Sequence, residues 1–326
     1  MYCPRLDHFR RIQPDGKFGV CGHMTNAKSF DDLAALDSSD WLSKLRSMMY
    51  LDKWPDECVR CQRDETAGRK SIRQHSFDRD SILRPHRENY LIVGGILDNI
   101  CNAACQFCDE RKSSKIGHLK HGPDYEIMDN MQKFLTIPSD RILELDINGG
   151  EPSNSPNYAR LLDDPPKNVK IIRMNTNASR FMPNILPLLD RGIKVIVTIS
   201  LDGVGKIYEY ARWPLTWKRF TEIVDQYRSI KHDNLSLDFW TTVSAYTIGD
   251  IDNIKSYAES VNIPVSMGRL TSPSVLDVRY RNPLTLQSKH IEGVAVDQDN
   301  SLALLAYIKT QDAIRGTNHE DCYNWS

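Results

Sequence analysis

From about residue 90 the chain alternates short apolar runs with longer segments in which apolar positions recur every three or four residues. This is the pattern of repeated strand-helix units, which assemble into a parallel sheet. The runs YLIVGGIL (90–97), ILELDIN (142–148), VKIIRMN (169–175), IKVIVTIS (193–200), LSLDFWTTV (235–243) and IPVSMGRL (263–270) predict six strands. Helices are predicted between them over YEIMDNMQKFLTI, SPNYARLLDD, SRFMPNILPLLDRG, WKRFTEIVDQYRSIK and IGDIDNIKSYAESV, and a last amphipathic helix over 300–316 ends at Gly316. Six units fall short of the eight of a closed barrel. The α/β class is therefore expected as an open, partial (βα)6 barrel, although a doubly wound sheet would give the same alternation.

Residues 1–85 lack this rhythm. They open on a hairpin-like stretch, FRRIQPDGKFGVCG, turning at Asp15 and Gly16, followed by one or two short helices. The expected organisation is a small cysteine-rich α+β module over 1–85, the barrel core over 86–275 and a carboxyl-terminal extension over 276–326. There is no internal repeat and no low-complexity tract.

With 326 residues, 40% of them hydrophobic, the chain can bury a sizeable core. A formal net charge of −1 does not imply nucleic-acid binding. No apolar run of membrane-spanning length appears, and the start lacks the apolar stretch of a signal peptide, so a cytoplasmic protein without a membrane partner is expected. Eight cysteines in a long chain of this kind point to metal or catalysis rather than to a disulfide framework.

In parallel strand-helix architectures function gathers at the carboxyl ends of the strands. The unusual residues fall there: CNAACQFC (101–108) after the first strand, Gly149-Gly150-Glu151-Pro152 after the second, Asn175-Thr176-Asn177 after the third, Ser200-Leu201-Asp202-Gly203 after the fourth and Thr241-Thr242-Val243-Ser244 after the fifth. A glycine pair before a proline is often a turn, and Ser200 and Asp202 also suit a helix cap and a turn. The glycines equally let backbone groups approach a ligand, with Glu151 available to a ligand ammonium. Cys101, Cys105 and Cys108 are too close together for disulfides among themselves and suit a compact soft-metal centre. A zinc knuckle with a remote fourth ligand is one such centre. An iron-sulfur cluster that leaves one iron open to a small molecule is the other.

CNAACQFC resembles the CxxxCxxC signature of the radical S-adenosylmethionine (radical SAM) enzymes, and GGEP, NTN and SLDG resemble the other cofactor-binding segments of that superfamily in the same order. The resemblance covers residues 90 to about 270. It implies a [4Fe-4S] cluster on Cys101, Cys105 and Cys108, with S-adenosylmethionine chelating the open iron. Gly149, Gly150 and Glu151 would hold its methionine end, Asn175 would lie in a cofactor-binding segment, and Ser200 would approach the ribose or carboxylate. Arg212, in YEYARW, sits where many relatives place an arginine that pairs with the cofactor carboxylate. The implied activity is reductive cleavage to a 5'-deoxyadenosyl radical that abstracts hydrogen from a substrate.

Cys3, twelve residues, Gly16, four residues and Cys21 fit the Cx9-15Gx4C opening of the SPASM and twitch modules, and the segment around Cys58 and Cys61 resembles their CxxC pair. A two-cluster module would need cysteines near 67 and 71, where this chain has Ala67 and Ser71. The resemblance thus implies one auxiliary cluster, expected as [4Fe-4S], on Cys3, Cys21, Cys58 and Cys61, in a module that precedes the barrel instead of following it. A four-cysteine zinc site is the alternative. Relatives with such modules commonly modify peptides or protein side chains, which makes a peptide the expected substrate, with a nucleoside, sugar or other small metabolite as the runner-up. A flavodoxin or ferredoxin is the expected electron donor. A zinc-dependent structural or interaction protein is the reading from a different class. Cys322 has no assigned role, Trp213, Trp217 and Trp240 are expected in the core, and His118 and His121 form no metal-spaced pair.

Overall fold

All six predicted strands form, and two more precede them. The computed structural model describes residues 1–270, 272–278 and 298–323. Residues 279–297 of the expected 276–326 extension lie outside the described residues. The strands are β1 (Phe9–Ile12), β2 (Phe18–Gly19), β3 (Leu91–Ile96), β4 (Ile142–Asn148), β5 (Ile171–Thr176), β6 (Lys194–Ser200), β7 (Leu235–Val243) and β8 (Val265–Arg269). They make one sheet in the order β2-β1-β3-β4-β5-β6-β7-β8, parallel throughout except for the β1-β2 hairpin. From β3 onward each strand lies beside its neighbour in sequence. A doubly wound sheet would reverse its order at a switch point. This sheet does not, and its first and last strands are unpaired with each other, so it is the open partial barrel.

Alternation along the strands divides the two faces. Leu145, Ile147, Ile172, Met174, Val195, Val197, Ile199 and Phe239 join the main apolar core with the helices Pro156–Asp163, Ile185–Asp190, Trp217–Ser229 and Ile251–Ser260. The opposite face is polar. There Arg173 Nε donates to Glu144 at 2.8 Å, Arg79 to Asp146 at 2.8 Å, and Thr198 Oγ1 to Asp238 at 2.8 Å. Below these pairs Phe9, Ile92 and Ile171 pack with Leu83 and Tyr90 and close the base of the inner face.

Two predicted helices are shorter than their patterns. Within 125–137 only Met131–Leu135 is helical, because the Asn130 side chain donates to the carbonyls of Ile96 and Gln13, at 3.0 and 3.1 Å, tying the chain to β3 and to the β1-β2 turn. Within 179–192 the helix is Ile185–Asp190; Pro183 disfavours helical backbone in the residue before it. The last helix runs Gln298–Arg315 and stops at Gly316, whose φ is +67°.

The amino-terminal segment is built into the same body. β1 pairs in parallel with β3, and Leu36, Leu42 and Leu45 belong to the same continuous core as the barrel strands. Gly95 makes this junction possible: its φ is +111°, and a Cβ there would lie 2.0 Å from the Ile12 carbonyl oxygen. Gly95→Ala is expected to destabilise the protein by roughly 2–4 kcal/mol through strain and overpacking. Gly249→Ala, where nothing lies within 4 Å, should change stability by no more than about 0.5 kcal/mol. Chemical denaturation compares the two, and equal midpoints would refute the role given to Gly95.

Candidate active site

The CNAACQFC loop leaves β3 and is held from several sides. Ser113 Oγ donates to the Ala103 carbonyl at 2.6 Å, and the amides of Ala104 and Gln106 donate to the carbonyls of Trp213 and Ala211 at 2.7 and 2.9 Å. The Gln106 amide group, fully buried, donates to Tyr210 O at 3.3 Å. These bonds turn three thiols toward one cavity of about 290 Å³ at the carboxyl ends of the strands. Burial pushes all three thiols up, Cys108 to about 12, and Cys105 raises both of its neighbours further, which places the three sulfurs within electrostatic reach of one another.

The same cavity is lined by Gly149, Gly150, Glu151, Asn175, Ser200 and Arg212. The three cysteines and the six residues that the resemblance assigns to the cofactor therefore meet there, although they come from four different strand ends and one helix end; Asp202, Thr241 and Ser244 do not line the cavity.

Their hydrogen bonds define what each can offer. Gly149 and Gly150 have φ of +85° and +59°; a Cβ on Gly150 would lie 2.7 Å from Ile100 O and one on Gly149 would lie 2.4 Å from Ile96 Cγ1. The glycine pair thus lets this turn press against the cysteine loop. The amides of Gly150 and Glu151 are already spent on Lys112 O at 3.2 Å and Ile100 O at 2.7 Å. The Glu151 carboxylate accepts from Thr176 Oγ1 at 2.6 Å, the Asn177 amide at 2.6 Å and the Ser153 amide at 3.1 Å. Burial raises its pKa, with these three donors opposing. Glu151 is a strut between the second and third strand-end loops.

Asp202 is neither a helix cap nor a free turn residue. Fully buried, it accepts from Arg212 Nε at 2.8 Å and from the Thr242 amide at 2.6 Å. Arg212 Nη1 points at Cys105 Sγ, 3.8 Å away. Burial opposes charge on Arg212, but Asp202 and Cys105 outweigh it and hold the guanidinium above its ordinary pKa.

This donor set fits an iron-sulfur cluster. Thiolates are soft ligands, the arginine partly compensates their charge, and the Glu151 carboxylate, the one among the described residues that lines the cavity, is occupied by protein donors. Among the described residues no three His, Cys, Asp or Glu side chains close on a point as ligands of a single metal ion.

A second cavity is lined by Cys3, Cys21, Cys58 and Cys61 together with Arg5 and Arg73. Cys3 precedes the helix Pro4–His8, and Cys58 and Cys61 flank the start of Val59–Thr66. Burial raises Cys3, Cys58 and Cys61, and Cys21 adds to all three. Four thiols beside two guanidiniums suit an anionic cluster, and they do not close on one point as the four ligands of a zinc ion would. Ser71, where a second cluster would want a cysteine, is the N-cap of Ile72–Leu83, closing a capping box with Gln74.

The remaining residues divide. Trp217 packs into the core against Phe220 and Tyr257, whereas Trp240 is 42% exposed because it pairs in register with Ser200 on the polar face, its ring lying over Gly268. Trp213 is half-buried, with Lys115 Nζ 5.2 Å above its ring. His118 and His121 flank Tyr125. Cys322 donates to Lys206 O at 3.4 Å. Two residues escaped the sequence reading: Gln106, hidden inside the motif, and Arg315, which contacts the cysteine loop from the last helix. No helix among the described residues is long and apolar enough to cross a membrane.

Comparison with known proteins agrees with this geometry. The profile of the Radical SAM superfamily matches residues 96–258, half of the chain. No curated protein matches it. Among solved structures, anSMEcpe with bound AdoMet is similar at 16% identity and a TM-score of 0.41, covering 70% of this chain and 62% of that one. Streptococcus suis SuiB bound to S-adenosylmethionine is similar at 13% identity and a TM-score of 0.43, covering 96% and 70%. SuiB bound to its precursor peptide SuiA gives the same values. This chain spans 62% of the length of anSMEcpe. With its three cysteines on one loop and half its length matched by the family profile, the chain belongs to the radical SAM superfamily.

Proposed function

We propose that this radical SAM enzyme cleaves S-adenosylmethionine and abstracts hydrogen from a peptide or protein side chain, with one auxiliary cluster on Cys3, Cys21, Cys58 and Cys61 accepting an electron afterwards. The observation that carries the reading is the single cavity shared by three thiols and the strand-end residues. Cys101, Cys105 and Cys108 would hold the cluster, which would supply the electron for reductive cleavage of the carbon-sulfur bond and so the radical chemistry of hydrogen abstraction.

The chain's own residues position and shield. With the Glu151 carboxylate engaged by Thr176, Asn177 and Ser153, the backbone carbonyls of this turn are the acceptors left to the methionine ammonium of the cofactor. Ser200 and Asn175 face the same cavity and suit the ribose or carboxylate. Arg212 shares its charge between Asp202, Cys105 and a carboxylate bound beside them. Substrate enters over the polar face, where exposed Trp240 offers an aromatic surface next to Ser200. Cys3, Cys21, Cys58 and Cys61 would supply four thiolates to the auxiliary cluster, which would suit it to electron transfer rather than to binding substrate. A low-potential flavodoxin or ferredoxin is the reductant in this reading.

Protein purified without oxygen is expected to be brown and to carry about eight irons per chain. Cys105→Ala should abolish formation of 5'-deoxyadenosine and remove about half of the iron. Colourless protein with stoichiometric zinc would contradict the reading. Cys58→Ala should remove the other half while leaving some cofactor cleavage uncoupled from product. Unchanged iron in that variant would exclude the auxiliary site. Chromatographic assay of 5'-deoxyadenosine against panels of peptides and of small metabolites decides the substrate class. Stimulation by peptides is expected, and stimulation by metabolites alone would overturn that part.

A further inference from the structure

The last helix, Gln298–Arg315, reaches back over the cysteine loop. Arg315 Nε donates to Ala104 O at 2.5 Å and Nη2 to Cys105 O at 2.9 Å, while Nη1 is held by Gln311 Oε1 at 2.6 Å. About two helical turns earlier, Tyr307 OH donates to Gln106 O at 3.2 Å. The carbonyls of three consecutive residues around Cys105 are thus bound by side chains of this helix. Arg315 is only 4% exposed. Burying a long cationic side chain is costly unless its donors are used, and here the planar fork meets two adjacent carbonyls of the loop, the second of which also accepts from the Cys108 amide at 3.1 Å.

The guanidinium is also placed electrostatically. Its Nη2 lies 2.9 Å from the Cys105 carbonyl oxygen, and Arg212 Nη1 lies 3.8 Å from the Cys105 sulfur, so two guanidiniums meet this one residue. Arg212 touches the sulfur directly, whereas Arg315 acts through the backbone that carries it. Hydrogen bonds, charge and solvent exclusion around a cluster are the levers by which a protein sets its reduction potential.

We propose that Arg315 is a positioning residue for the radical SAM cluster: by clamping the carbonyls of Ala104 and Cys105 it fixes the Cys105 ligand, and its buried positive charge favours the reduced cluster. This rests on the assignment of Cys101, Cys105 and Cys108 as the cluster ligands. It makes the carboxyl-terminal helix part of the redox machinery, at a distance of 210 residues along the chain from the loop it holds.

The test uses the anaerobic holoenzyme and the variants Arg315→Gln and Arg315→Lys. Iron content, electron paramagnetic resonance of the reduced state and the fraction reduced at a fixed applied potential are measured. Arg315→Gln is expected to lower the reduced fraction about threefold or more relative to wild type, or to lose the iron of this site alone. Arg315→Lys restores the charge without the fork, so its reduced fraction should lie between the two while its spectrum differs from wild type. Should Arg315→Gln not fold, Arg315→Lys decides: an altered spectrum supports the clamp and an unchanged spectrum overturns it. Wild-type iron, spectrum and reduced fraction in both variants would overturn the proposal. A Cys105→Ala protein that kept the wild-type spectrum would instead mean that the cluster assignment itself is wrong, independently of Arg315.

Discussion

Three thiols that must act as anionic ligands are gathered in one buried loop, and the rest of the barrel mouth is arranged around making that tolerable. Burial drives Cys101, Cys105 and Cys108 toward their neutral forms, and Cys105 worsens the case for both of its neighbours. A cationic iron core bound there would remove the conflict by taking the thiolates as ligands, and the protein places Arg212 and Arg315 around Cys105. Arg212 is itself stabilised by Asp202, which is fully buried and bound by the Thr242 amide. Removing one partner of such a pair typically costs about 3–5 kcal/mol, because the other charge stays buried and unpaired. The chain of dependence therefore runs from β7 through Asp202 and Arg212 to the cysteine loop.

The sheet supplies the geometry for this arrangement. Its outer face is a continuous apolar core, so the strands are rigid and their ends are fixed relative to one another. Its inner face carries ion pairs low down and neutral polar groups near the mouth, where Asn175 and Ser200 meet the cavity. Glu151 ties two strand-end loops together, and the paired glycines before it press the turn onto the cysteine loop. The amino-terminal four-cysteine cavity is not a loosely attached appendage. Through β1 and Gly95 it shares the sheet and the core with the barrel, which gives any electron moving between the two sites a fixed, packed medium.

Much of this was legible in the chain because its signals are local. Buried strands read as apolar runs, and three cysteines within eight positions declare themselves by spacing alone. The helices over 125–137 and 179–192 were overestimated because their ends are set by Asn130 bonding to β3 and by Pro183, not by periodicity. Glu151 was legible as a site residue but not as a strut, since its three donors come from the next loop and the following turn. Trp240 defied the core expectation because a strand exposes alternate residues and its own face is the polar one. Arg315 had no signature at all: a single arginine near the end of an amphipathic helix looks like any surface arginine until the fold brings it to Ala104.

The central claim is that the metal centre on Cys101, Cys105 and Cys108 keeps one iron open to S-adenosylmethionine. Electron paramagnetic resonance of the reduced Cys58→Ala protein, which isolates this centre, recorded with and without saturating S-adenosylmethionine, addresses it most directly. The account predicts that the cofactor changes the spectrum, because its amino and carboxylate groups become ligands of that iron. A spectrum indifferent to the cofactor would show the coordination sphere already complete and would contradict the account.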